Sequence, residues 1–121
     1  MTDHRTLATL QALAEPNRLR IVELLRAGPL TVGEIAQRLD LRQPQASKHL
    51  KVLTDSGILE VRPEANRRIY GLKRDRFQTL DDWASSFTRS MEERYEKLES
   101  YLDRLTANEK PDEAKGNEEE G

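Results

Sequence analysis

Cysteine is absent from this 121-residue chain, and aromatic residues make up only 5% of it. Without cysteine there is no disulfide, no thiolate metal ligand and no cysteine nucleophile. Histidine occurs only at positions 4 and 49. No apolar run approaches the length of a membrane span, and the N-terminal residues lack the charged and apolar blocks of a signal peptide. These absences predict a soluble cytoplasmic protein without a cofactor.

The length has room for one domain and little more. Charged residues make up 35% of the chain, so a single copy has few apolar residues for a core and gains from sharing one with a partner subunit.

Positive charge is concentrated in the middle of the chain, although the formal net charge is −2. Residues 42–76 carry nine Lys or Arg against four Asp or Glu, a balance of +5. Residues 77–106 carry four against seven, and residues 108–121 two against six. This distribution favours a nucleic-acid partner for the central segment.

The segment from Thr31 to Leu53 is typical of a helix-turn-helix. Thr31 followed by Glu34 forms a capping box for a short helix through about Arg38, and its apolar side holds Val32, Ile35, Ala36 and Leu39. A four-residue link then leads to a second helix that begins at Gln43, with a proline in its first turn. Two helices separated by so short a turn match this DNA-binding motif, although the turn lacks the usual glycine.

The second of these helices has two distinct faces. Ala46, Leu50 and Leu53 share one face, and the opposite side carries Gln43, Gln45, Ser47, Lys48 and Lys51. The outward set donates hydrogen bonds and has no carboxylate before Asp55, which suits the acceptor-rich major groove and its phosphates. The alternative is an ordinary solvated helix face.

Two helices precede the motif. The first runs from His4 to Ala14, with Leu7, Leu10 and Leu13 or Ala14 at helical spacing. The second begins near Pro16 and ends before Gly28, and its predicted apolar register is Leu19, Val22 and Leu24 or Leu25. We expect this pair to act as scaffold.

After the helix-turn-helix the pattern changes to strands. Two alternating runs joined by residues 63–66 predict a β-hairpin. It carries Arg62, Arg67 and Arg68, so it is typical of a wing that contacts a phosphate or an adjacent minor groove. The alternative is that these arginines are solubilising charges on an exposed edge.

A long helix is predicted over about residues 75–107. Its apolar residues follow steps of three and four if Arg94 takes one seam position, and the surface that best covers this seam is the same helix of a second copy, aided by the first helix. The predicted dimer interface comprises Leu7, Leu10, Phe77, Leu80, Trp83, Ala84, Phe87, Met91, Tyr95, Leu98, Tyr101 and Leu102, with Leu105 also on the seam.

Two alternatives remain for this helix. Phe77 to Phe87 could pack inside one subunit, and Trp83 with Tyr95 could line a pocket for a small apolar inducer.

Taken together, these patterns predict a DNA-binding and dimerisation domain over residues 1–107. Residues 108–121 form an acidic tail that we expect to be disordered.

The sequence resembles the ArsR family of winged-helix transcriptional repressors over roughly Leu7 to Leu105. The motifs that carry the resemblance are ALAEPNRLRIVELLRAGPLTVGEIAQRL, ASKHLKVL followed by SGIL, and the closing DDWASSFTRSMEERYEKLESYLD. The resemblance implies a mainly α fold of order α-α-α-α-β-β-α with a small β-hairpin, and a homodimer that binds a palindromic operator and represses transcription, often of its own operon. By match of motif, the recognition helix holds Gln43, Gln45, Ser47, Lys48 and His49, and the wing holds Arg67 and Arg68.

The chain departs from the family pattern at the positions that bind metals in other members. Where they have cysteines this chain has Thr31-Val32-Gly33, and where they have Asp and His on the last helix it has Asp81 and Asp82 without histidine. The resemblance therefore implies the metal-independent branch. Arg42 replaces the usual Ser or Thr cap before the recognition helix, which weakens the cap and adds a candidate phosphate contact.

Enzyme function is not expected. Ser47 and His49 are two residues apart on a helix and so lie on different faces. His49 is either a phosphate contact at the edge of the core or a structural histidine. The predicted function is a dimeric, sequence-specific DNA-binding repressor without a metal. The alternatives are a sensor induced by a small organic ligand and a winged-helix module that binds another protein rather than DNA.

Overall fold

The computed structural model of the protein describes residues 3–107. Its elements in chain order are α1 (His4–Leu13), α2 (Pro16–Leu24) followed by a 3-10 turn (Leu25–Ala27), β1 (Leu30–Thr31), α3 (Val32–Leu39), α4 (Gln43–Asp55), β2 (Leu59–Glu64), β3 (Arg67–Leu72) and α5 (Arg74–Ala107). The predicted fold class, mainly helical with a small β-hairpin, is confirmed. The predicted acidic tail lies outside the described residues.

The chain divides into two units, the first ending at Trp83 and the second beginning at Ala84. The core of the first unit is built mainly from α2, α3, α4 and the start of the hairpin. Ile21 of α2, Ile35 of α3, and Leu50 and Leu53 of α4 are fully buried together with Ile58 at the start of the hairpin. Each such side chain contributes about 1.5–3 kcal/mol by leaving water. The helix-turn-helix is therefore anchored to α2 and to the hairpin.

The two N-terminal helices form where predicted but differ in register. In α2 the buried residues are Ile21 and Val22, whereas Leu19 is 42% exposed, so its predicted core position is wrong. In α1 the buried positions are Thr6, Thr9 and Ala12. Thr9 tolerates burial because its Oγ1 donates a hydrogen bond to the carbonyl of Arg5 at 2.7 Å.

The turn of the helix-turn-helix is made without glycine. Asp40 takes the left-handed conformation, with φ of 57°, that glycine usually supplies at a helix end. The N–H of Leu41 then donates to the carbonyl of Ala36 at 2.9 Å, which closes the end of α3. Asp tolerates this conformation better than most residues, so the missing glycine does not prevent the turn.

The end of α4 is fixed by a Schellman motif. Gly57 has φ of 81°, its N–H donates to the carbonyl of Thr54, and the N–H of Ile58 donates to the carbonyl of Leu53, each at 3.0 Å. Nε of Arg76, in the first turns of α5, donates to the carbonyl of Ser56 at 3.2 Å. The C-terminal end of α4 is thereby tied to both neighbouring segments.

The hairpin belongs to a three-stranded antiparallel sheet of order β1-β3-β2. The sequence analysis missed β1, because its two residues are too few to show an alternating pattern. The loop is also tighter than predicted: Glu64 pairs with Arg67, which leaves Ala65 and Asn66 as the turn. Ala65 adopts φ of 56°, a strained position for a residue with a Cβ.

Helix α5 covers the predicted range. Phe77, near its start, packs against the core of the first unit. In the second unit its large apolar side chains are each 43–69% exposed: Phe87, Met91, Tyr95, Leu98, Tyr101, Leu102 and Leu105. Among residues 3–107, no helix combines the length and the apolar character needed to cross a membrane.

We expect Thr31→Ala to destabilise the protein by about 1 kcal/mol. Thr31 Oγ1 accepts a hydrogen bond from the N–H of Glu34 at 3.2 Å, and Glu34 Oε1 accepts one from the N–H of Thr31 at 2.9 Å, so the predicted capping box is present. Urea unfolding would measure the loss. Thr88→Ala, on an exposed position of α5, is the control and should change stability far less.

The same cap should make stability sensitive to acid. The N–H of Thr31 and then its hydroxyl, with smaller contributions from the Arg67 and Arg38 charges, lower the pKa of Glu34 below its usual 4.5. A lowered pKa means that the carboxylate stabilises the fold above pH 4.5 and that this contribution is lost as the pH falls below that value. Glu34→Gln should therefore unfold more easily at pH 7 and lose less stability between pH 5 and 3 than the wild type. Equal pH dependence in both proteins would contradict this origin of the acid sensitivity.

Candidate nucleic-acid interface

An open groove of about 810 Å³ lies between α4 and the hairpin. Its walls come from three segments: the start of α3, the exposed side of α4, and the hairpin with its turn. The lining residues are Thr31, Val32, Gly33, Gln43, Ser47, Lys51, Thr54, Asp55, Val61, Asn66, Arg67, Arg68 and Tyr70. The groove is thus lined mainly by hydrogen-bonding and charged side chains.

The structure places the predicted outward residues of α4 on two sides of the helix. Gln43, Ser47 and Lys51 are spaced four apart and face the groove. Gln45 and Lys48 line a separate shallow depression of about 250 Å³ with Arg42 and Pro44. All five predicted side chains are exposed, and Ala46, Leu50 and Leu53 are buried as predicted. The sequence pattern therefore identified the two faces of the helix but not this division.

The N-terminus of α4 is capped by a residue that was predicted to contact bases. Gln45 Oε1 accepts a hydrogen bond from the N–H of Arg42 at 3.3 Å, whereas the side chain of Arg42 makes no capping hydrogen bond. The Gln45 amide group retains its donor nitrogen for other partners. Arg42 is exposed, so its guanidinium is available for an anion next to the positive end of the helix.

The hairpin presents two of its three predicted arginines to the groove. Arg67 and Arg68 line it beside Asn66 of the turn. Arg62 is exposed but does not line the groove, because it lies on the opposite face of β2 from the groove-lining Val61.

His49 does not share the outward face of α4. Its side chain is only 17% exposed, and Nδ1 lies 3.8 Å from Oε1 of Glu15 at the N-terminus of α2. Glu15 in turn accepts a hydrogen bond from the N–H of Arg18 at 2.8 Å. That N–H, followed by smaller contributions that include the charge of His49, lowers the pKa of Glu15. Of the two roles that the sequence left open for His49, this placement favours the structural one.

Two groove cations have carboxylate partners within the protein. Nζ of Lys51 lies 3.2 Å from Oδ2 of Asp55, and Nη2 of Arg67 lies 3.7 Å from Oε1 of Glu64. Both pairs are well exposed, so each is weak and easily exchanged for a phosphate.

Sequence reasoning missed several groove residues. Tyr70, Asn66 and Thr31 line the groove although only their secondary-structure roles were considered. Thr54 also lines it, and its Oγ1 is buried without a hydrogen-bond partner among the described residues. Asn66 is a turn residue directly before two arginines, and this position is the one local signal that could have identified it as a groove residue.

Asp81 and Asp82 lie on α5 at the position that the family resemblance associates with metal ligands in other members. Within residues 3–107, no three His, Asp or Glu side chains are grouped closely enough to hold a metal ion. Asp82 instead accepts a hydrogen bond from the side-chain amide of Gln78 at 3.1 Å.

Known proteins similar to this chain also contain a helix-turn-helix. A family model described as a helix-turn-helix domain matches residues 13–62. The chain is 48% identical over 62 residues to the HTH-type transcriptional regulator Rv2034 of Mycobacterium tuberculosis, a match that covers 51% of this chain and 58% of Rv2034. The matching segment therefore spans less than two thirds of that relative.

Solved structures extend the similarity beyond the helix-turn-helix. An ArsR family transcriptional regulator matches with a TM-score of 0.67 at 28% identity, covering 76% of this chain and 97% of the other. The homodimeric winged helix-turn-helix DNA-binding domain Mb0332 of Mycobacterium bovis matches with a TM-score of 0.59 at 27% identity, covering 74% and 83%. A protein named "Possible transcriptional regulator for arsenical resistance" matches at 32% identity with a TM-score of 0.60, covering 84% and 95%. With this fold, this groove and these relatives, the chain belongs to the ArsR family of winged helix-turn-helix transcriptional regulators.

Proposed function

We propose that the protein is a homodimeric repressor that binds a palindromic DNA operator, including one in its own promoter, without a metal cofactor. The observation that carries the proposal is the groove between α4 and the hairpin, which presents Lys51, Arg67 and Arg68 together with the amide and hydroxyl groups of Gln43 and Ser47. Ammonium and guanidinium groups bind phosphates, while amides and hydroxyls recognise base edges in the major groove.

The proposed contacts follow from the two sides of α4. The helix enters the major groove, where Gln43, Gln45 and Ser47 contact bases. The cations contact the phosphate backbone on either side: Arg42, Lys48, Lys51, Arg67 and Arg68, with Arg62 on the outer face of the hairpin. His49 is left out of this set because it contacts Glu15 inside the protein. Two such helices in a dimer would read half-sites about 34 Å apart.

Dimerisation is proposed through the apolar stripe of α5. Seven large apolar residues between Phe87 and Leu105 are each 43–69% exposed, which is unusual for a soluble protein unless a partner covers them. Leu7 of α1 is also 51% exposed and provides a second apolar contact. The related Mycobacterium bovis domain is homodimeric. We assign residues 1–107 to the DNA-binding and dimerisation domain, and we propose that the acidic residues 108–121 form a separate tail.

The first test is selection of duplexes from a random pool by the purified protein. Enrichment of a palindromic sequence supports the proposal. A winged-helix module that binds only proteins would enrich no sequence.

Lys48→Ala and Gln45→Ala should then have different effects. Loss of a phosphate contact should weaken binding to operator and random duplexes alike, with the slope of log affinity against log salt falling by about one unit. Loss of a base contact should cost about 1–3 kcal/mol, mainly on the operator. Gel-shift titration over a salt series measures both. Because Gln45 also caps α4, thermal melting must show that its variant is folded at the titration temperature. Equal losses on both duplexes for both variants would contradict this division of roles.

Leu98→Asp should convert the dimer to a monomer. Leu98 is 54% exposed in the single chain, and its burial in a dimer occurs twice, once for each copy. Burial of the exposed half of a leucine contributes about 0.8–1.6 kcal/mol, and the substitution removes this twice and adds two carboxylates to the interface, so the dissociation constant should rise at least about 10-fold. Ser100→Asp adds the same charge at an exposed position off the stripe and is the matched control. Sedimentation that shows a dimer in both variants would exclude this interface.

A further inference from the structure

Asp55 lies on the exposed side of α4, within the groove that carries the DNA-facing cations. It is the last residue of the helix, where the helix dipole disfavours a negative charge. Its partner Lys51 precedes it by four residues, which is the less favourable order for an ion pair on a helix. Helix stability therefore does not account for a carboxylate at this position.

A carboxylate at this position also opposes DNA binding. Nζ of Lys51 lies 3.2 Å from Oδ2 of Asp55, so a phosphate that binds Lys51 must displace Asp55 and remain close to its negative charge. The groove-lining Arg67 of the hairpin is paired in a similar way: its Nη2 lies 3.7 Å from Oε1 of Glu64, which does not itself line the groove. Each groove-lining cation of these two pairs is thus partly neutralised before DNA arrives.

We propose that Asp55 and Glu64 limit the sequence-independent affinity of the protein for DNA by holding Lys51 and Arg67 in ion pairs that every duplex must replace. The inference rests on the proposed function. The free energy needed to break these ion pairs is the same for every DNA sequence, so the base contacts of α4 still distinguish the operator. Binding to the far more numerous non-operator sites is weakened.

The test compares the full-length wild-type protein with Asp55→Asn on a random-sequence duplex and on the selected operator. Because an exposed ion pair is weak, we expect affinity to rise about two- to five-fold at moderate salt. The rise should be equal on the two duplexes, and the salt dependence should become steeper by up to about one unit. Glu64→Gln should act in the same direction and provides a second, independent variant.

Two control variants and a stability measurement separate this effect from others. Glu60→Gln removes the same charge from an exposed position on β2 that, within residues 3–107, forms no ion pair with a groove-lining cation, and it should leave DNA affinity within error of the wild type. In a Lys51→Gln background the effect of Asp55→Asn should shrink, because Asp55 acts partly through that lysine. Thermal melting should show no loss of stability for Asp55→Asn, since the change relieves an unfavourable helix-dipole interaction.

Four other outcomes would contradict the inference, and each indicates a different reason. If Asp55→Asn lowers operator affinity and leaves random-duplex affinity unchanged, Asp55 reads a base amino group. If Glu60→Gln raises affinity as much as Asp55→Asn, only net charge matters. Unchanged affinity and salt dependence in Asp55→Asn and Glu64→Gln would exclude the inference but leave the proposed function intact. Failure of the wild type to bind any duplex would remove both.

Discussion

Burial of one face of α4 is the constraint on which the rest of the first unit depends. Ala46, Leu50 and Leu53 are fully buried among residues of α2, α3 and β2, and together they fix the rotation of the helix about its axis. A rotation of α4 large enough to expose Leu50 or Leu53 would cost about 1.5–3 kcal/mol for each leucine exposed. The hydrophobic core therefore determines which polar residues face outward, although none of the core residues contacts the groove.

Polar contacts at both ends of α4 add to this constraint. At the N-terminus Gln45 accepts from the N–H of Arg42, and at the C-terminus Arg76 donates to the carbonyl of Ser56 beside Gly57. Between the ends, His49 faces Glu15 across the contact with α2. The outer side of α4 makes few apolar contacts, so contacts of this kind hold the helix in position against the neighbouring segments.

The groove combines cations with carboxylates, and this combination has a physical logic for a DNA-binding protein. Affinity that comes from phosphate contacts alone does not distinguish sequences and competes with the operator at every other site on a genome. Ion pairs such as Lys51 with Asp55 reduce that contribution, whereas the amide and hydroxyl groups of Gln43 and Ser47 are unaffected by them. In this interpretation Asp55 in the groove, and Glu64 beside the groove-lining Arg67, are part of the recognition surface.

Periodicity and capping are local properties of a few neighbouring residues, and they were enough to predict the helices, the hairpin, the buried face of α4 and the capping box of Thr31 and Glu34. It misplaced Leu19 and did not identify β1, since burial of a short helix and pairing of a two-residue strand depend on what lies opposite them. Only the tertiary structure separated Lys51 from Lys48, brought Arg68 but not Arg62 to the groove, and paired His49 with Glu15. The groove between α4 and the hairpin and the pairing of His49 with Glu15 both join segments far apart in the chain, and their geometry is set by how the core packs.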